Sequence, residues 1–170
     1  MKRLTILRHA KSSWDDASLD DFNRPLNERG WKAARRIGRE LKHRQMKFDF
    51  ALASSAARVR ETIDGFVEGY GEPDFEIRFE PSIYEASVAT LLDLVRGLPE
   101  DAAAALLVGH NPGLERLVVE LSEPDELRDR VAGKFPTAAV AVVELTPEHW
   151  KDVQPGSGRI AELIFAKELD

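Results

Sequence analysis

Segments that suit β-strands alternate with segments that suit α-helices along most of this chain, and that order limits the folds open to it. The strand-type segments are short, and each is an apolar run or an alternation of apolar and polar residues. They cover residues 3–7, 48–53, 75–79, 103–108, 138–145 and 160–165. This order predicts an α/β protein, a three-layer α/β/α sandwich around a mostly parallel central sheet, and leaves room for an antiparallel strand at its C-terminal end.

Capping and stop residues mark where the intervening helices begin and end. Asn27 and Ser87 are candidate N-caps, because each precedes apolar residues that recur at helical spacing. Gly71 suits the end of a helix that begins near Ala56, and Pro112 suits an early position in the helix after residue 108. No repeat or long Pro/Gly-rich linker interrupts the 170 residues, so we expect one domain over residues 1–170.

Composition excludes several classes of function. The chain has no cysteine, which removes thiolate metal sites, disulfides and a cysteine nucleophile. Its net charge of −6 disfavours non-specific binding to nucleic acid, whose phosphates attract clustered Lys and Arg. No apolar run approaches the about 20 residues that span a bilayer, so we expect no membrane partner and, by default, a cytoplasmic location.

Charged and imidazole side chains follow three of the predicted strands. Arg8 and His9 come directly after the first strand, and Arg58 follows the second. His110 follows the strand at residues 103–108. Each of these taken alone is weak evidence, because loop histidines and surface arginines are common. Ligands of open α/β sheets gather at the carboxyl ends of strands, so their joint order predicts that the four side chains converge.

Two imidazoles and two guanidinium groups suit phosphoryl transfer. One imidazole can attack phosphorus and form a phosphoenzyme, while the other groups offset the charge on the phosphoryl oxygens. Arginine supplies planar, bidentate donors to phosphate. An imidazole with an ordinary pKa of about 6.5 has a substantial neutral fraction at neutral pH. This step requires no cofactor, and we expect none.

Five short motifs carry a family resemblance. They are LRHA at residues 7–10, RPLNERG at 24–30, SSAARVRET at 54–62, VGH at 108–110 and KFPT at 134–137. The first, third and fourth resemble the histidine phosphatase (phosphoglycerate mutase-like) superfamily, in order and in placement at strand ends. The other two, with the compact length, are most similar to its SixA-type phosphohistidine phosphatase branch.

The resemblance implies a phosphoglycerate mutase-like fold and a role for each matching residue. His9 would be the phosphorylated nucleophile, and Arg8, Arg58 and His110 would form the phosphate pocket. The superfamily's usual Arg-His-Gly reads Arg8-His9-Ala10 here, a change that adds one methyl group.

The proton donor is a separate hypothesis. Glu85 lies where many superfamily members place their acid, whereas some SixA-type members lack one. As a general acid, Glu85 would need a pKa raised by burial or by a neighbouring carboxylate. Further candidates for the border of the substrate pocket are Lys11, Trp14 and Arg24.

The polar segment at residues 8–24 is longer than most structureless loops, which favours a functional role for it. Its acidic residues, Asp15, Asp16, Asp20 and Asp21, raise the question of a metal site. Neighbouring acids are usually solvated loop residues, so we expect no metal here.

The leading hypothesis is a protein phosphohistidine phosphatase, because so short a chain lacks insertions that would build a lid over a small molecule. Two alternatives stay open. One is a phosphatase of a small phosphorylated metabolite or nucleotide, which Lys11 and Arg24 would help to bind. The other is an inactive module that only binds phosphorylated ligands. A mutase is disfavoured, since it would need a closed, water-excluding site.

Overall fold

A six-stranded sheet forms the centre of the computed structural model, which describes residues 1–169. The strands are β1 (Lys2–Arg8), β2 (Phe50–Ala53), β3 (Glu76–Phe79), β4 (Ala104–Gly109), β5 (Val140–Leu145) and β6 (Gly158–Ile164). Their order across the sheet is β3-β2-β4-β1-β5-β6. The strand that the predicted nucleophile follows, β1, therefore lies inside the sheet with a neighbour on each side.

The sheet is mostly parallel, as predicted. The β1–β4, β2–β4 and β2–β3 pairs are parallel, whereas β5 pairs antiparallel with β1 and with β6. The strand that runs against the others is thus β5 rather than the last strand, because the second antiparallel pairing returns β6 to the direction of β1. The parallel strands end at the same edge of the sheet, which is where the site is built.

Alternating side chains on each strand divide the core between the two faces of the sheet. On β1, Leu4 and Ile6 pack in one buried cluster, while Leu7 packs in the other. On β4, Leu107 joins the first cluster and Leu106 the second. Such two-sided burial is the reason that β4 reads as a continuous apolar run.

Helices cover both faces and complete the predicted three layers. They are α1 (Glu28–His43), α2 (Ala57–Tyr70), α3 (Val88–Arg96), α4 (Gly113–Leu121) and α5 (Glu126–Gly133). The apolar faces of α1 and α2 belong to one buried cluster, and those of α3, α4 and α5 belong to the other. As predicted, the side chains of Asn27 and Ser87 cap α1 and α3, and Gly71 follows α2 with a positive φ of 106°.

The sequence patterns did not predict α5. Of its residues only Val131 is buried, so the helix has too few apolar positions to show a clear helical period. Its start is marked instead by Asp125, whose side chain accepts a hydrogen bond from the Arg128 N–H.

Two strands, β2 and β5, begin two residues later than predicted, each for a local reason. Phe48 precedes β2 and packs with the rings of Phe66, Tyr70 and Phe75. Ala138 precedes β5, because its backbone is left-handed with a φ of 60°. Its N–H is shared by the carbonyls of Arg8 and His9, at 3.1 and 3.0 Å.

The two helices on the α1 face approach closely. A Cβ on Gly38 of α1 would lie 2.2 Å from the carbonyl oxygen of Phe66 on α2, far inside van der Waals contact. Glycine is therefore required at this crossing. The contact fixes α2, whose first turn carries Arg58, against the rest of the layer.

Within residues 1–169 no helix is long and apolar enough to cross a bilayer.

Candidate active site

His9 and His110 occupy equivalent places on neighbouring strands. Arg8 at the end of β1 pairs in register with Gly109 at the end of β4, so the next residue of each strand is a histidine. The two ring centroids lie 5.3 Å apart, and both side chains are largely buried. The sheet register alone thus explains why two imidazoles so distant in sequence meet.

The backbone of His9 is tied to β4 and to the segment just before β5. Its N–H donates to the Gly109 carbonyl at 3.0 Å, and its own carbonyl accepts from the Ala138 N–H. The next residue is anchored too, because the Ala10 N–H donates to Thr62 Oγ1 at 2.9 Å, while that hydroxyl donates to the Arg58 carbonyl. The end of β1 is therefore fixed to the first turns of α2.

The hydrogen bonding of His9 assigns its tautomer. Nδ1 lies 2.7 Å from the Ala10 carbonyl oxygen, which can only accept. Nδ1 therefore carries the proton, and the lone pair is on Nε2. Burial lowers the pKa of His9 to about 3, with smaller contributions from the charges of His110, Arg8 and Arg58, against a raising effect of the Ala10 bond. His9 is thus neutral at pH 7 and has a nucleophilic nitrogen.

In His110 the nitrogen left for a ligand is Nδ1, whereas in His9 it is Nε2. Its Nε2 lies 2.8 Å from Ser54 Oγ, which already accepts from the Ala56 N–H. Ser54 is fully buried, and Nε2 is the only acceptor for its hydroxyl proton within residues 1–169, so the serine donates to Nε2 and the ring proton is on Nδ1. Burial first, and then the charge of Arg58, lowers the pKa of His110 to about 4. Nδ1 is buried and has no hydrogen-bond partner in the part of the chain described here, so its N–H is available to a ligand.

Arg8 and Arg58 also have donors to spare. Arg8 donates one hydrogen bond from Nη1 to the Phe135 carbonyl at 3.2 Å, and Arg58 donates from Nη1 and Nη2 to Asp21. The Nε atoms of both arginines are buried, and no acceptor for them lies within residues 1–169. Burial lowers the pKa of Arg8. Two cations with unused N–H groups beside two imidazoles suit a tetrahedral oxyanion.

Asp21 is the functional residue that the sequence patterns missed. The sequence predicts a solvated loop acid at this position, but the carboxylate accepts from Arg58 Nη2 at 3.0 Å, from Arg24 Nε at 3.1 Å and from the Tyr84 hydroxyl. The Tyr84 bond first, and then the two arginines, lowers the pKa of Asp21 to about 2. Asp21 is thus ionised and orients Arg58. Only the unusual length of its loop gave a signal.

Three further residues that the sequence patterns did not single out, Tyr84, Ser54 and Thr62, form hydrogen bonds with residues of the site. Burial, followed by the hydrogen bond to Asp21, raises the pKa of Tyr84 to about 12. The ring of Tyr84 packs edge-on against His110. Ser54 and Thr62 lie within the 54–62 motif, but nothing in the sequence showed which partners their hydroxyls would bind.

Glu85 lies on the rim of the site rather than inside it. It lines a cavity of about 470 Å³ together with Asp21, Arg58 and His110. Its side chain is exposed, and its backbone is left-handed with a φ of 57°. The burial that we expected for a general acid is therefore absent at this residue, and its role stays a hypothesis.

The three residues predicted at the border of the pocket lie in different surroundings. Arg24 is buried and donates to Asp21 and to the Ser13 carbonyl, so it supports the loop. Its guanidinium lies 3.4 Å from the ring centre of Trp14, which is 76% exposed. Lys11 does not line the cavity of His110 but lines a second groove on the α1 side. Within residues 1–169 no three His, Asp or Glu side chains cluster in a way that would hold a metal ion.

Comparison with known proteins agrees with this geometry. The model of the histidine phosphatase superfamily (branch 1) matches residues 4–133. An uncharacterized protein of Mycobacterium tuberculosis is 30% identical over 154 residues, which cover 88% of this chain and 93% of the relative.

Two solved structures superpose over nearly their whole length. One is a candidate phosphohistidine phosphatase SixA of Agrobacterium tumefaciens, with a TM-score of 0.82 and 28% identity over 96% of this chain and 97% of the other. The second, a SixA candidate of Nakamurella multipartitia, has a TM-score of 0.84 and 25% identity over 96% and 95%. The span matched by the family model contains His9, Arg58 and His110, whose geometry has just been described. On this evidence the chain belongs to the histidine phosphatase superfamily.

Proposed function

We propose that this member of the superfamily is a protein phosphohistidine phosphatase that uses His9 Nε2 as its nucleophile. The observation that carries the proposal is a pair of buried, neutral imidazoles 5.3 Å apart, flanked by two arginines with unused donors. One imidazole has a free lone pair, and the other has a free N–H. These are the two functions that attack on phosphorus and stabilisation of its oxygens require.

In the first step, the lone pair of His9 Nε2 attacks the phosphorus of phosphohistidine. The new N–P bond forms as the substrate's N–P bond breaks, and the departing imidazole takes its proton from solvent. Arg8 and Arg58 offset the charge of the phosphoryl oxygens, while His110 Nδ1–H donates to one of them. In the second step, water attacks the phosphoryl group on His9, which releases inorganic phosphate and restores the imidazole.

The protonation states favour a phosphoramidate over an alkyl ester. An alkoxide leaving group needs a strong proton donor, whereas imidazole is a much weaker base. Asp21 is ionised at neutral pH and cannot donate a proton, and Glu85 is exposed on the rim. The departure of imidazole makes the smaller demand on such a site.

The shape of the chain supports a protein substrate. This chain and the two SixA candidates cover each other to at least 95%, so this chain carries no large insertion relative to them that could close over the cavity. A site without such an added lid admits a histidine on the surface of another protein.

The position of Glu85 supports a second candidate function, hydrolysis of a small phosphate ester. Its position on the rim of the cavity of Arg58 and His110 would allow its carboxyl group to protonate a leaving oxygen. Glu85→Gln separates the two functions, because it should slow the hydrolysis of an alkyl phosphate and leave that of phosphohistidine unchanged.

The decisive experiment traps the phosphoenzyme. Brief exposure to a radiolabelled phosphohistidine peptide should give an acid-labile, base-stable phosphoprotein that His9→Ala abolishes and His43→Ala, at an exposed position on α1, retains. Higher kcat/KM on sugar or nucleotide phosphates would favour the ester function. No label and no released phosphate would favour a module that only binds.

A further inference from the structure

A basic groove runs beside the catalytic residues on the α1 side of the sheet. It has a volume of about 450 Å³, and among the described residues 1–169 its wall contains five cationic side chains and no acidic one. These cations are Lys11, Arg29, Lys32, Arg36 and Lys167. We call this surface the basic groove.

Within residues 1–169, no carboxylate forms an ion pair with a cation of the basic groove. Eleven ion pairs occur in the part of the chain described, and none of the five takes part in them. Arg29, Lys32 and Arg36 repeat at helical spacing on one face of α1. In a chain with a net charge of −6, such a concentration of positive charge gives a local field opposite to that of the whole molecule.

Two segments connect the basic groove to the catalytic residues. Lys11 lies two positions after His9, and its carbonyl accepts from the Asn27 N–H at 3.0 Å. A Cβ on Gly30 would lie 2.1 Å from that carbonyl, so the α1 terminus packs directly against the loop. On the other side, the carbonyl of Phe135 binds Arg8, while the next residue, Pro136, lines the groove.

We infer that the basic groove binds an acidic surface of the phosphoprotein substrate while the phosphohistidine occupies the catalytic cavity. This inference rests on the proposed function. Arg29 and Arg36 alone span about 10 Å along the helix axis, and Lys11 and Lys167 widen the surface further. Four of the five side chains are exposed, and they are spread along the groove rather than gathered around one point. A spread of exposed cations suits several carboxylates of a protein surface better than a single small anion.

The test compares two synthetic phosphohistidine peptides that differ only in flanking residues, four glutamates in one and four glutamines in the other. For the unmodified protein at low salt, we expect kcat/KM to be about tenfold higher for the glutamate peptide, as a few exposed charge contacts provide. The preference should shrink as salt is added.

Two triple variants assign the preference to the groove. Lys32→Gln, Arg36→Gln and Lys167→Gln together should abolish the preference and leave hydrolysis of free phosphoramidate unchanged. The matched control removes three exposed charges elsewhere, by Lys42→Gln, Lys47→Gln and Lys151→Gln, and should retain it. Equal rates on the two peptides, or a preference that survives in the groove variant, would overturn the inference.

A binding measurement separates this inference from the proposed function. Fluorescence anisotropy of a labelled, unphosphorylated glutamate peptide should show binding that the groove variant loses and the control variant keeps. If neither phosphohistidine peptide is hydrolysed while an aryl phosphate is, the proposed function fails. The anisotropy result then decides alone whether the groove binds acidic protein segments.

Discussion

The hydroxyl of Ser54 lies 2.8 Å from Nε2 of His110 and determines which nitrogen of that imidazole carries the proton. The serine stands at the end of β2, between the strand and the first turn of α2. It does not contact phosphorus in the proposed reaction, so it is a positioning residue.

Replacement of Ser54 by alanine should reduce kcat by about tenfold, because His110 then populates both tautomers and donates less often to the phosphoryl group. Complete removal of an oriented donor costs more, about 10²–10³-fold, whereas this variant keeps the donor in one of the two tautomers. KM should change little. Stopped-assay kinetics on phosphoramidate measure both constants, and nitrogen-15 spectra of the imidazoles report the tautomer. Ser55→Ala changes the adjacent serine, which has no contact with His110, and should behave as the unmodified protein. A normal tautomer in Ser54→Ala would contradict the assignment.

Two changes at Asp21 should have opposite effects on phosphate binding. In Asp21→Asn the amide oxygen still accepts from Arg58 while the negative charge is gone, so inorganic phosphate should inhibit several-fold more strongly. In Asp21→Ala the guanidinium loses its side-chain partner, and inhibition should weaken. Inhibition constants of inorganic phosphate at constant ionic strength measure both. If both variants shift inhibition in the same direction, Asp21 does not combine the two effects.

The histidines should make the protein less stable in mild acid. Folding lowers the pKa of His9 to about 3 and that of His110 to about 4, whereas both are near 6.5 in an unfolded chain. Below pH 6.5 the unfolded state binds protons that the folded state does not, so this contribution is complete above that pH and is lost as the pH falls. From pH 7 to pH 5 the loss is about 2 kcal/mol for each imidazole. Urea unfolding at the two pH values measures it, and His9→Asn and His110→Asn should each show a smaller pH dependence.

A methyl group at the crossing of α1 and α2 should destabilise the fold. Gly38→Ala would place its Cβ 2.2 Å from the Phe66 carbonyl oxygen, and separating the helices should lower the free energy of unfolding by about 1–3 kcal/mol. Gly133→Ala, where nothing lies within 4 Å of the added carbon, is the matched control and should be neutral or slightly stabilising. Thermal or urea unfolding measures both. Equal stabilities would mean that the helices move apart at no cost.

Periodicity and strand-end placement predicted the fold and the four side chains that the site brings together, because both depend on patterns local in sequence. The position of Arg8, His9 and His110 follows from strand register. The partners that orient them do not, since Asp21 meets Arg58 across 37 residues and Thr62 meets Ala10 across 52. Such pairings depend on distances that exist only after folding. The short helix α5 was missed for a different reason, its single buried residue.

The N–H of Ala138, which the carbonyls of Arg8 and His9 share, limits how the backbone at His9 can move. Together with the bond from the His9 N–H to Gly109, it immobilises the peptide groups on both sides of the proposed nucleophile. The imidazole can then reach phosphorus only by rotation about its own two side-chain torsions, while the main chain stays in place. The site is preorganised for attack, and little reorganisation of the protein need accompany the transfer.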